Sequence, residues 1–111
     1  MYIKKDGEVF VVSITGKEKE IIINSFVFLS KDLDGEFFTR LGFYESEYEI
    51  LSEAIKKDKE IYNETELLMI HQALNEICHG VFNTDFVKTI GSSLADVKII
   101  FNTIDRVFSK N

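Results

Sequence analysis

The chain of 111 residues contains no proline, no tryptophan and one cysteine. Without proline, helix ends must be set by glycine and by capping side chains. A single thiol, Cys78, excludes an intramolecular disulfide and favours an intracellular protein. No apolar stretch approaches the roughly 20 residues of a transmembrane helix, and the N-terminal residues lack the apolar centre of a signal peptide. We therefore expect a cytoplasmic protein with no membrane segment.

Basic residues are scarce relative to acids: 13 Lys and Arg against 19 Asp and Glu give a net charge of −6. The excess is concentrated in residues 21–58, which hold eight acids and four basic residues. Because phosphate binding needs Lys and Arg, this charge argues against nucleic acid and anionic membranes as partners. It suits either a merely soluble surface or a basic partner protein.

Apolar side chains, in contrast, make up 45% of the chain and include ten Phe and four Tyr. That content is sufficient for the core of one domain of this length. The N-terminal part has the pattern of β-structure. Residues 1–15 predict a β-hairpin with Asp6-Gly7 as its two-residue turn, since such turns need positive φ. A second turn is expected at Gly16-Lys17, and residues 20–29 suit a third strand, although short apolar runs leave a helix open there.

From residue 30 onward the apolar spacing is helical. A short helix capped by Asp32 or Asp34 runs to Leu41, and Gly42 ends it in a left-handed conformation. A second helix follows over residues 45–57. Its predicted core face consists of Tyr48, Leu51 and Ile55.

A longer central helix is predicted over residues 63–79, with Gly80 after it. Asn63 is its expected N-cap, and Glu66 closes a capping box three residues later. The predicted buried stripe consists of Leu67, Ile70, Leu74, Ile77 and Cys78.

The sequence around Gly42 recurs around Gly91, so that residues 37–55 match residues 86–104. The matched pairs are Phe37/Phe86, Leu41/Ile90, Gly42/Gly91, Glu47/Asp96, Tyr48/Val97, Ile50/Ile99, Leu51/Ile100 and Ile55/Ile104. The second copy predicts a short helix over residues 85–90, a turn at Gly91, and a helix over residues 93–108 that starts with a Ser93–Asp96 capping box. Matched apolar positions around a matched glycine describe one scaffold used twice, without a catalytic group.

These elements predict an α+β fold, in which an N-terminal antiparallel β-meander of two or three strands packs on four or five helices. The helices include the two similar helix–Gly–helix units. We expect a single domain over residues 1–111: residues 1–29 mainly β, residues 30–58 the first helix–turn–helix unit, and residues 63–108 the central helix with the second unit.

Two groups of side chains are candidate sites. The acids of the second predicted helix form a candidate partner-binding surface of Glu45, Glu47, Glu49 and Glu53. The central helix carries a polar face of Gln72, Asn75, Glu76 and His79, which follow helical spacing. The plainer interpretation of that face is a solvated surface, or hydrogen bonds to the segment that follows.

Other chemistry has less support in the sequence. Glu76 and His79 form a Glu-x-x-His pair, but a di-iron site needs two such pairs and further carboxylates. His71 lies about 80° around the helix from His79, so no zinc clamp is expected. Cys78 is expected to be a buried structural thiol. We therefore predict no catalytic residue, no metal site and no cofactor.

The apolar spacing of both repeats also resembles a helix-turn-helix motif. That motif needs a small residue four positions before the glycine, where the chain has Phe38 and Val87. Neither second helix begins with the Arg, Gln or Asn that reads base edges. DNA binding is therefore an alternative and not the leading hypothesis.

Residues 73–80 have the sequence Ala-Leu-Asn-Glu-Ile-Cys-His-Gly and precede Asp85-Phe86 and Ile90-Gly91. This segment resembles a group of small bacterial proteins that share an Ala-Leu-Asn-Glu-x-Cys-x-Gly helix, then Asp-Phe and a Gly-led helix. The resemblance covers the C-terminal two-fifths of the chain. It implies no activity and no functional residues.

The leading hypothesis is a small, non-enzymatic, bacterial protein that binds a basic partner protein through its acidic helix. One concrete form is an immunity protein that neutralises a basic nuclease toxin with the help of electrostatic steering. The alternatives are a helix-turn-helix transcriptional regulator that dimerises through its hairpin and a small metal-dependent enzyme that uses Glu76 and His79.

Overall fold

The computed structural model describes residues 1–80 and 93–109. The chain begins with β1 (Tyr2–Asp6), β2 (Val9–Ser13), α1 (Gly16–Asp32), a 3₁₀ turn (Asp34–Glu36), α2 (Phe37–Leu41) and α3 (Glu45–Lys56). It continues with β3 (Ile61–Asn63), α4 (Glu64–Asn75), a π-helical turn (Glu76–Gly80) and α5 (Leu94–Ser109). The described residues thus form a three-stranded antiparallel sheet and five α-helices, which confirms the predicted α+β class.

The sheet has the strand order β1-β2-β3, and its first two strands form the predicted hairpin. Asp6 pairs with Val9, so the turn lies at Gly7-Glu8, one residue later than expected. Only Gly7 in this turn has a left-handed φ, of 65°. Positive φ at the first central position alone is typical of a type II′ turn and not of the type I′ turn expected from Asp6-Gly7.

The prediction of a third strand at residues 20–29 is wrong, because Gly16–Asp32 is the helix α1. The turn expected at Gly16-Lys17 and the mainly β character of residues 1–29 are wrong for the same reason. Thr15 and Glu18 form a complete capping box that starts this helix, a local signal the sequence does contain. Its buried side chains also follow helical spacing: Ile21, Ile22, Ser25, Phe26, Phe28 and Leu29.

The actual third strand, Ile61–Asn63, pairs with Val9–Val11 of β2. The sequence predicts no strand at these residues, and the last of them, Asn63, is the predicted N-cap of the central helix. Asn63 serves both elements, since it ends the strand and accepts a hydrogen bond from the Glu66 amide at 2.8 Å. The predicted capping box of α4 is therefore confirmed.

The helix ends agree with the sequence at Gly42 and differ at two other places. Gly42 ends α2 with a φ of 81°, as predicted. Asp32 belongs to α1, and the residue at the N-cap position of α2 is Glu36, which makes no side-chain cap hydrogen bond, so neither Asp32 nor Asp34 holds that position. The central α-helix ends at Asn75, and its last residues form the π-helical turn, which shifts them around the axis relative to an α-helix.

The second helices of the two repeats match in burial. Tyr48, Leu51 and Ile55 of α3 are buried, as are Val97, Ile100 and Ile104 of α5. The pair Ile50 and Ile99 is exposed in both. The Ser93–Asp96 capping box is confirmed, with both hydrogen bonds at 3.3 Å. The short helix predicted over residues 85–90 and the turn at Gly91 lie outside the described residues.

The core is one hydrophobic cluster that joins the inner face of the sheet to all five helices. Phe10 and Val12 of β2 and Tyr62 of β3 contribute from the sheet. The buried hydroxyl of Ser25 donates to the carbonyl of Ile21 at 2.7 Å, so this polar group is satisfied. Within residues 1–80 and 93–109, no helix has both the length and the apolar character needed to cross a bilayer.

Candidate functional site

Helices α1 and α3 run antiparallel, side by side. Near the end of α1, the Ser30 hydroxyl donates to Glu45 at the start of α3. Nearer the start of α1, Lys19 forms an ion pair with Asp58, just beyond the end of α3. Between these contacts, the ring of Phe26 meets that of Tyr48 edge-on, with 4.9 Å between centroids. This pairing leaves a groove along the outer side of the two helices.

The groove has a volume of about 440 Å³, within the range of ligand pockets. It is lined by Phe26, Val27, Ser30, Lys31, Tyr48, Glu49, Ser52, Glu53 and Lys56. Phe26 and Tyr48 are buried and form its floor, whereas Val27 is 45% exposed. The groove therefore offers an apolar anchor point bordered by charged side chains.

Tyr48 holds the floor in place. Its hydroxyl donates to the Met69 carbonyl of α4 at 2.8 Å, and its ring also meets Phe37 at 5.3 Å and Phe43 at 6.2 Å. The contact with Phe43 is the hydrophobic staple that stands in for a hydroxyl cap at the start of α3. Burial, with a smaller contribution from the charge of Glu47, raises the pKa of Tyr48 well above its usual value.

Three of the four candidate acids border the groove. Glu49 and Glu53 line it, and Glu45 lies at its end against Ser30. Glu47 is about 160° around the helix from Glu45 and Glu49. It lines a different depression, between α3 and α4. The structure therefore brings three of the predicted acids together and places Glu47 apart from them.

Two lysines reduce the net negative charge of the groove. Lys56 forms an ion pair with Glu53 at 3.2 Å, and Lys31 lines the opposite wall. The groove is therefore less acidic than the sequence alone indicates. Glu49 makes no ion pair within the described part of the chain, so its carboxylate is the most available of the three.

The corner between α2 and α3 carries an exposed aromatic pair. Phe38 stacks on Tyr44 with 4.4 Å between ring centroids and 27° between planes. Phe38 occupies the position at which a helix-turn-helix motif needs a small residue. The first turn of α3 carries Glu45 and Glu47, two carboxylates that DNA phosphates would repel.

The predicted polar face of the central helix is not a solvated surface throughout. Glu76 is only 8% exposed and forms an ion pair with Arg40 of α2. His79 is exposed, and its Nδ1 lies 3.0 Å from Oδ1 of Asn75. Gln72 is half-buried. The contact with Arg40 has no local sequence signal, because the two residues lie on different helices far apart in the chain.

The sequence also gives no signal for the contact between His71 of α4 and Asp105 of α5. Their Nε2 and Oδ1 atoms lie 2.8 Å apart. The imidazole packs against Phe101 and Phe108, and its Nδ1 is buried without a hydrogen-bond partner among the described residues. An Asp–His pair can orient a general base, but this one has its second nitrogen enclosed and serves to join two helices.

Cys78 is half-buried, in the π-helical turn that contacts α5. Burial raises the pKa of the Cys78 thiol, and the positive charge of Lys98 offsets this only in part. The thiol is therefore protonated at neutral pH, which does not favour a nucleophile. In residues 1–80 and 93–109, no group of three or more His, Cys, Asp or Glu side chains is arranged to hold a metal ion.

Comparison with known protein families, with curated proteins and with solved structures finds no match for this chain. The resemblance of its C-terminal segment to a group of small bacterial proteins stays a prediction. The function must therefore be argued from the side chains themselves, and the groove between α1 and α3 is where apolar and acidic groups converge.

Proposed function

We propose that this is a small, non-enzymatic, cytoplasmic bacterial protein that binds a basic partner protein in the groove between α1 and α3. The observation that carries the proposal is the position of the exposed Val27 over an aromatic floor, beside Glu45 and Glu49. Apolar anchor points with a charged rim are typical of protein interfaces.

The shape of the groove favours a helical segment of the partner. Two antiparallel helices leave a linear depression, and amphipathic helices bind such depressions with a few apolar anchors on one face. In this arrangement an apolar side chain of the partner contacts Val27 and Phe26. Lys or Arg residues on its flanks then reach Glu45, Glu49 and Glu53.

Immunity against a basic nuclease toxin is the concrete form of this function that we favour. An acidic inhibitor gains association rate from steering of a basic target, and the gain falls as salt concentration rises. A toxin gene next to the gene of this protein would support this form specifically.

The decisive experiment is affinity capture from the native host, with quantification of the recovered proteins. We expect the wild-type chain to enrich a basic protein, and the triple variant E45K/E49K/E53K to lose it. The matched control E8K/E60K/E64K has the same net charge but changes exposed acids outside the groove. It should retain the partner. Equal recovery by both triple variants would refute the groove as the binding site.

Glu47 supplies a sharper control within the same helix. E47K reverses one carboxylate on the side facing α4, and we expect it to leave capture unchanged, whereas E49K weakens it. A similar separation should hold for apolar residues: V27A should weaken capture, and I50A, at an exposed position away from the groove, should not.

The two alternatives make different predictions. A helix-turn-helix regulator would retard duplex DNA at low salt and micromolar protein concentration, where electrostatic contacts are strongest. A metal-dependent enzyme using Glu76 and His79 would be purified with stoichiometric metal. Because Glu76 is already paired with Arg40, metal binding there would require that ion pair to break.

A further inference from the structure

A second depression lies between β1 and the C-terminal half of α5, away from the proposed interface. It has a volume of about 490 Å³. Its lining consists of Met1, Tyr2, Ile3, Lys5, Phe10, Thr103, Arg106 and Val107. We call this depression the β1–α5 cleft.

The charge of the β1–α5 cleft is opposite to that of the whole chain. It contains Lys5 and Arg106 and no carboxylate, whereas four other depressions on the described surface each contain at least one. Within residues 1–80 and 93–109, neither Lys5 nor Arg106 forms an ion pair. The N-terminal ammonium is already neutralised by Glu18.

Lys5 lies on the core-facing side of the hairpin and is itself exposed. Lys5 pairs with Phe10, and Ile3 pairs with Val12, so these four residues lie on the same face of the hairpin. Phe10 and Val12 are buried and show that this face is directed to the core. Because Lys5 is exposed near the hairpin turn, its ammonium lies at the mouth of the cleft, next to this apolar face.

We infer that the β1–α5 cleft binds a small organic acid, with its carboxylate between Lys5 and Arg106 and its apolar body against Phe10 and Val107. Arg and Lys form strong, charge-assisted hydrogen bonds with carboxylates, and Arg can do so with two parallel bonds. The apolar wall of Ile3, Phe10 and Val107 favours an acid with a hydrocarbon or aromatic body over inorganic anions such as phosphate.

The test is a titration of the full chain with sodium octanoate, below its micellar concentration, followed by amide shifts in two-dimensional NMR spectra. We expect saturable shifts at Phe10, Thr103 and Val107. Octylammonium, with the same tail and the opposite charge, should produce none there. Acetate and inorganic phosphate should bind at least about tenfold more weakly, because each lacks the apolar body.

Variants separate binding from a purely structural role of the two cations. K5Q and R106Q should each raise the dissociation constant for octanoate at least about tenfold. K4Q is the matched control, since Lys4 is adjacent in β1 but lies on the opposite face of the sheet. It should bind as the wild type does.

Three results would overturn the inference: no saturable shift up to millimolar octanoate, equal binding of octylammonium, or unchanged affinity in K5Q and R106Q. An exposed lysine on an edge strand can instead serve to prevent edge-to-edge association. In that case K5Q would self-associate in analytical ultracentrifugation while its octanoate affinity stayed unchanged.

Discussion

Helices α3 and α5 have the same core and different surfaces. The buried triplets Tyr48-Leu51-Ile55 and Val97-Ile100-Ile104 occupy matched positions. A further matched apolar pair, Ile50 and Ile99, is exposed in both helices. On the remaining positions α3 carries four glutamates and one lysine, whereas α5 carries two acidic and two basic residues. The repeat therefore specifies packing, and a function specific to one unit must lie where the two copies differ.

The divergent positions of α5 contribute to the structure in ways that α3 does not. Asp105 contacts His71 of α4, and Arg106 lines the β1–α5 cleft. The residues that match them in the first copy are Lys56 and Lys57, and Lys56 lines the open groove between α1 and α3. Substitutions at matched and at divergent positions therefore measure how far the two repeats are equivalent.

The largest effect is expected at the matched core positions. Ile55 and Ile104 are both fully buried, so I55A and I104A should each lower the free energy of unfolding by about 2–5 kcal/mol, through lost apolar contact and the cavity left behind. Urea denaturation monitored by circular dichroism measures both. A cost at one position with none at the other would show that the repeats are not equivalent in packing.

A smaller effect is expected at Arg40, which matches Thr89 in the second copy. R40M leaves the buried Glu76 without its ion-pair partner. We expect a loss of about 2 kcal/mol, less than for a fully buried pair because the Arg40 side chain is partly exposed. The control E36Q breaks only a long, exposed contact with Arg40 and should change stability by less than about 0.5 kcal/mol. Equal effects of R40M and E36Q would contradict a structural role for the pair with Glu76.

Alkaline pH should distinguish the two repeats, because α3 buries Tyr48 where α5 buries Val97. Burial raises the pKa of Tyr48, and it raises the pKa of Tyr62 to about 12. A raised pKa means that the folded state favours the protonated phenol. The resulting stabilisation is complete below pH of about 10, the usual Tyr pKa, and is lost as pH rises through the folded-state values.

The measurement is the urea midpoint between pH 8 and pH 12. The midpoint of Y48F should fall less steeply above pH 10 than that of the wild type. Y44F removes the hydroxyl of an exposed tyrosine next to the same helix and should follow the wild-type slope. Parallel slopes for Y48F and the wild type would contradict the role assigned to the buried phenol.

The smallest effect is expected at the helix starts. Ser93 caps α5, whereas Tyr44 precedes α3 without a side-chain cap. S93A should cost about 1 kcal/mol. S46A, in the uncapped first turn of α3, should stay within about 0.5 kcal/mol of the wild type. If the two substitutions have the same effect on the urea midpoint, the capping difference between the copies has no energetic consequence.

Local signals in the sequence predict much of the helical structure. Asn63 with Glu66 and Ser93 with Asp96 mark two helix starts, and Gly42 marks a helix end, because each acts through neighbours in the chain. The same kind of signal, Thr15 with Glu18, was sufficient to identify α1. The Ile and Phe run that follows has high β-propensity, but the cap and the helical spacing determine its structure.

Contacts between distant residues could not be predicted in this way. Strand β3 has three residues and forms by pairing with β2, so its own sequence carries little information. The contacts of Arg40 with Glu76 and of His71 with Asp105 depend on how separate helices pack. The candidate acids are predicted as one surface of four, although helical spacing alone already places Glu47 about 160° from Glu45 and Glu49. What the sequence does not contain is the α1–α3 packing that puts the other three acids at the groove.

We expect the groove between α1 and α3 to contact a basic protein and the matched surface of α5 not to do so. A photo-crosslinking amino acid placed at Val27 or, for comparison, at the exposed Ile99 of α5, in the native host, distinguishes the two surfaces. We predict one basic protein crosslinked at position 27, absent at position 99, and lost when Glu45, Glu49 and Glu53 are reversed to Lys. No adduct at position 27, the same adduct at both positions, or an adduct unaffected by the charge reversal would show that the groove is not the binding surface.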